Sequence, residues 1–91
     1  MQGNLFVGTK PVMNYVTGLV MQLTTKGATT VTVKARGKFI SKAVDIAEVA
    51  TKRFLQGQAK ISDITTNSES FKNADGKDVT VSTITITVSK I

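Results

Sequence analysis

The chain has 91 residues, about two fifths of them apolar, which is enough for one core and too short for two. It contains neither cysteine nor histidine, which excludes disulfides, thiolate metal sites and thiol nucleophiles, and removes the commonest general base and zinc ligand. Twelve Lys and Arg against six Asp and Glu leave a net charge of +6, which favours a polyanionic partner; with no cysteine or histidine and no catalytic constellation, neither an enzyme nor a bound cofactor is expected.

Leu5, Phe6 and Val7 form a short apolar run closed by Gly8 and read as a first strand, with Phe6 expected in the core. Pro11 marks the first turn of a helix, where a missing N–H costs nothing. Val12, Tyr15, Val16, Leu19, Val20 and Leu23 then recur at helical spacing, and Gly27 supplies the stop. Thr29 to Arg36 alternates, Val31, Val33 and Ala35 against Thr32, Lys34 and Arg36, as a half-buried strand does. After a turn at Gly37, Ile40, Ala43, Val44, Ala47, Ala50 and Phe54 predict a second helix, with Gly57 past its end. Lys60 to Phe71 is a more polar strand, Asp75-Gly76 signals a hairpin turn, and Asp78 to Ser89 is the last strand. Its apolar residues change phase between Val79, Val81 and Ile84, Ile86, Val88, which predicts a bulge near Ser82 and Thr83. The apolar runs fall far short of the roughly 20 residues of a membrane span. Residues 1–8 lack the pattern of a secretory leader. A soluble intracellular protein without a membrane partner is expected.

Lys34, Arg36, Lys38 and Lys42 fall in a stretch without acids that leaves a strand, turns at Gly37 and enters a helix. Lys34 and Arg36 share a strand face; Lys38 and Lys42 share a helix face if the helix has begun. Such a cluster is either a phosphate-contacting patch or an ordinary solvated basic face. Lys10, ahead of the first helix, adds to the same surface. Asp45 and Glu48 stand one helical turn apart, but with no histidine or cysteine they read as solvated or paired with Lys52, and no metal or catalytic set emerges. The aromatics form no stacking platform for single strands in the linear sequence.

Three stretches become specific when read together: Val7-Gly-Thr-Lys-Pro-Val-Met-Asn-Tyr15, Val33-Lys-Ala-Arg-Gly-Lys38 and Ile40-Ser-Lys-Ala-Val-Asp45. With Arg53-Phe54-Leu55 and the hairpin end Val81-Ser82-Thr83-Ile84, they resemble the Alba family of archaeal chromatin proteins. The resemblance runs in one register from about Leu5 to the last residue. It implies an α+β fold: a two-layer β-α-β-α-β-β sandwich, a four-stranded mixed sheet with two helices on one face and an extended C-terminal β-hairpin. Residues 1–91 would be one nucleic-acid-binding domain with a hairpin arm at about 67–80. It further implies a homodimer that binds double-stranded DNA as a cytoplasmic, chromosome-associated coating or compacting protein, with RNA binding in many members.

Carried over by position, the nucleic-acid contacts are Lys10, Asn14, Lys34, Arg36, Lys38 and Lys42, with Lys77 on the arm, and Phe54 matches a contact between dimers. Thr9 stands where relatives carry a lysine subject to acetylation, so that control does not transfer. Lys38 replaces a common arginine. The arm is polar enough to be expected to project and move, and its Lys72 and Lys77 face Glu69, Asp75 and Asp78, so it is not basic. Two rival readings are a mainly RNA-binding ribonucleoprotein subunit and a gene-selective DNA-binding regulator.

Overall fold

The computed structural model describes residues 2–91. Its elements are β1 (Gln2–Phe6), α1 (Val12–Thr24), β2 (Thr30–Arg36), α2 (Ile40–Val49), β3 (Ala59–Lys72) and β4 (Asp78–Lys90). A single 3₁₀ turn, Gly37–Phe39, precedes α2, and a π turn, Ala50–Phe54, follows it. The four strands form one sheet in the order β1-β2-β4-β3, with β1 parallel to β2 and both other pairings antiparallel. This is the expected α+β arrangement with a mixed sheet.

Local chemistry sets the element ends. Pro11 sits at the N-cap of α1 with φ −58°, and its carbonyl accepts the Asn14 N–H. At the other end the Lys26 N–H bonds the Met21 carbonyl, and Gly27 at φ +75° lets the Ala28 N–H return to the Gln22 carbonyl. The core lies between the helices and one sheet face. Val16, Leu19 and Leu23 of α1 and Ala43, Ile46 and Ala47 of α2 pack on Val31 and Val33 of β2 and Ile84, Ile86 and Val88 of β4. Each large apolar side chain so buried contributes about 1.5–3 kcal/mol.

Three expectations need correction. Phe6 is not in the core: it is 70% exposed, on the sheet face the helices leave open, while its neighbours Leu5 and Val7 turn inward. The buried stripe of α2 runs through Ile46, and Val44 is 41% exposed, so the apolar face is rotated from the one the sequence suggested. Phe54 is 50% exposed at the end of the π turn, as its place past the second helix suggested. The bulge lies in β3, between Ile61 and Asp63, and the pairing of β4 is regular from Asp78 to Lys90. The phase change in β4 has another cause. Ile84, Ile86 and Val88 point at the helices, whereas Val79 and Val81 lie beyond them on the open face, where no helix dictates which side is apolar.

Past the Arg36–Thr83 pair, β2 has ended and β3 and β4 pair only with each other. The hairpin extends the molecule to 47 Å along its longest axis, against 23 and 20 Å across. Its turn spans residues 73–77. Asn73 Oδ1 accepts the N–H groups of Asp75 and Lys77, and Gly76 takes φ +76° as the Asp-Gly signal requires.

Candidate nucleic-acid interface

Sheet topology brings the basic residues together. Because β1 and β2 are parallel and Phe6 lies opposite Lys34, the chain leaves both strands at the same end of the sheet. The loop before α1 and the turn before α2 are therefore neighbours. Gly37 makes that turn at φ +52°, a backbone region that a side chain would strain. Lys10, Asn14, Lys34, Arg36 and Lys38 are all exposed at this rim. The hairpin rises from the same end, and Lys77 at its tip stands roughly 20 Å beyond the Thr83 level at the usual strand rise.

Lys42 has a different position from the others. It is half-buried, and its ammonium donates to the carbonyls of Gly8 and Lys10, each at 2.9 Å. The Tyr15 hydroxyl accepts the Gly8 N–H at 2.8 Å and the Lys10 N–H at 3.3 Å. Tyr15 from α1 and Lys42 from α2 thus hold the two sides of the same loop, which fixes the backbone from which Lys10 projects. Lys38 precedes α2, so the two lysines do not share a helix face, but their Nζ atoms lie 5.4 and 5.6 Å from the centroid of one ring, Phe39. The sequence placed Lys42 on the contact surface because its carbonyl partners lie more than thirty residues away in the chain and leave no local signal.

Arg36 is held from the arm. Its Nη2 is 3.1 Å from Glu69 Oε2, and its guanidinium carbon is 5.8 Å from the centroid of Phe71. Lys34 Nζ lies 5.7 Å from the Phe6 centroid on the open face. Farther along the arm, Lys72 pairs with Asp78 at 3.5 Å. Among the described residues these are the ion pairs; Asp45, Glu48 and Lys52 remain exposed and unpaired with one another. No group of three acidic residues among the described residues could hold a metal ion, and no helix there is long and apolar enough to cross a membrane. The rim offers several exposed cations, an arrangement suited to contacting a row of anions.

Residues 4–68 match the family model described as Alba. The chain is 44% identical over 90 residues to the "DNA/RNA-binding protein Alba" of Methanococcus maripaludis, covering 99% of this chain and all of that one. It is 49% identical over 87 residues to the protein of the same name from Nanoarchaeum equitans, covering 94% of this chain and 96% of the relative. Among solved structures, Alba from Thermoplasma volcanium superimposes with a TM-score of 0.85 at 42% identity, covering 96% of this chain and 99% of that one. The chain belongs to the Alba family.

Proposed function

We propose that the chain is a non-enzymatic, homodimeric protein that binds double-stranded DNA through its phosphates, in the cytoplasm and on the chromosome, coating or compacting it. The observation that carries the reading is the convergence of Lys10, Lys34, Arg36 and Lys38 at the sheet end from which the hairpin rises. Phosphate contacts position such a protein without reading bases, so broad coverage of DNA follows from this chemistry. The relatives named DNA/RNA-binding proteins support the same class of partner. Asn14 borders the rim, Lys77 adds one contact from the arm, and residues 1–91 act as one binding domain with the arm at about 67–80.

Dimerisation has its own support. Ile64, opposite Ile86 on the helix-facing side of the sheet, is 56% exposed, and Val44 and Phe54 are exposed on and after α2. Apolar side chains uncovered on that side favour burial against a second copy. Phe54, half-exposed at the end of the π turn, would serve contacts between dimers, a role its exposure supports.

Binding of duplex DNA measured across a salt series, with the mass of the free protein from light scattering, tests the reading. A dimer engaging about six to eight phosphates should lose log affinity against log salt with a slope of roughly −5 to −7. A slope near zero, or a monomer at micromolar concentration that binds as one, overturns it. Competition with structured RNA in the same titrations ranks the second reading, a mainly RNA-binding protein; the relatives' names include both nucleic acids.

A further inference from the structure

We propose that the cleft on the open sheet face is a second binding site, one that takes an unpaired nucleobase with its phosphate; this rests on the nucleic-acid reading above. The cleft, about 590 Å³, crosses the strands from Phe6 on β1, past Lys34 and Arg36 on β2 and Thr83 and Thr85 on β4, to Glu69 on β3. That volume lies within the roughly 300–1,000 Å³ of small-ligand sites.

Three features define the ligand. First, Phe6 is 70% exposed and presents an uncovered aromatic surface, with the Lys34 ammonium 5.7 Å from its centroid. An exposed phenylalanine with a cation beside it suits a flat π system that carries negative charge. Second, the hydroxyls of Thr83 and Thr85 make no hydrogen bond within the described residues, so the strand between the walls offers free donors and acceptors to a polar ring edge. Third, Lys34 and Arg36 supply two cations for a phosphate, and of the two only Arg36 is ion-paired, with an exposed Glu69. A stacking face, a hydrogen-bonding edge and an anion in one ligand describe a nucleotide. Duplex DNA fails the first need, because its bases are stacked on each other, and offers the second only its groove edges, the Watson–Crick edges being paired. An unpaired strand meets both. Charge complementarity and the exposed ring thus select a single strand, of RNA or of DNA, as the occupant.

Fluorescence anisotropy with a short labelled oligouridylate, the matching oligodeoxythymidylate and a DNA duplex, all at one salt concentration, separates this site from the rim. Phe6→Ala and Phe6→Leu should each weaken single-strand binding about tenfold. Phe6→Trp should keep or tighten it, and duplex affinity should stay within about twofold of the parent for all three. Because Phe6 lies outside the core, the melting temperature should be unchanged, which guards against misfolding. Tighter binding of the ribose strand names RNA as the source of the base, and equal binding names any unpaired strand. Single-strand binding that ignores Phe6→Ala, or an equal loss on strand and duplex, overturns the second site. A parent chain that binds the duplex but no single strand overturns it too and leaves the proposed function standing; one that binds neither overturns both.

Discussion

The rim of the body and the hairpin arm start from the same end of one sheet, yet they are built to opposite rules. At the rim, backbone geometry is tightly held: Gly37 makes the turn, Tyr15 and Lys42 tie down the loop before α1, and the basic side chains project from this frame. The arm is held by strand pairing and a few exposed side-chain contacts, its side chains are nearly all exposed, and its two lysines face three acids. One region offers cations on a rigid base, the other reach without charge. Affinity should therefore come mostly from the rim, and the arm should act through shape, as elements that enter a narrow groove do.

The largest test of this division is the double change Arg36→Ala with Lys38→Ala. It should weaken binding to every duplex alike by at least about tenfold and make the salt slope shallower by about 0.9 for each phosphate no longer neutralised. An unchanged slope would mean that both side chains face away from the phosphates. Next in size, a hairpin shortened by residues 72–77 should lose affinity only a few-fold and lose any preference among DNA sequences. Loss of binding to background, with the dimer intact, would make the arm the anchor and reverse the comparison.

Much of the frame could be read from the sequence because its signals are local. Pro11, Gly27 and Gly37 mark boundaries, and the alternation of Val31, Val33 and Ala35 orients β2 without reference to anything distant. What escaped detection depended on partners far along the chain. In Leu5-Phe6-Val7 three apolar residues conceal the period of two, so nothing marks Phe6 as the one pointing outward. Val44 and Ile46 compete for one helical stripe, and only packing against the sheet chooses Ile46. The bulge beside Ser62 sits in a stretch where polar residues occupy both faces, which erases any phase signal. The pairing of Arg36 with Glu69 follows from the hairpin register, which sets Thr83 opposite both Arg36 and Asn67 and so places Glu69 one step farther on the same face.

Lys42 sharpens the comparison within the rim itself. Lys42→Met keeps the apolar stem and removes the ammonium that bonds Gly8 and Lys10. Thermal unfolding should report a loss of roughly 1–3 kcal/mol, the usual cost of losing hydrogen bonds made by a charged donor. Duplex affinity should fall less than for the double change, because the loop carrying Lys10 loosens while every phosphate keeps its cation. The salt slope is the deciding measurement: unchanged, it makes Lys42 a positioning residue; reduced by about 0.9 for each protomer, it returns Lys42 to the contact surface.

The smallest expected effect lies where the two regions touch. Glu69 of the arm holds Arg36 of the rim at 3.1 Å, and both side chains are more than half exposed, at 56% and 55%. A pair so wetted is worth only about 0–1 kcal/mol, so a phosphate can replace the carboxylate at little cost. Glu69→Gln retains the side chain's length and hydrogen-bonding oxygen while removing the charge that competes for Arg36 and repels the DNA. Duplex affinity should rise by about two- to fivefold, the factor that an energy of up to about 1 kcal/mol allows, with the melting temperature nearly unchanged. The sign of the change matters more than its size. A rise shows that the arm competes with DNA for a rim cation. A fall shows that Glu69 orients the guanidinium toward the phosphates, which would make the arm part of the rim's frame and dissolve the division between the two regions.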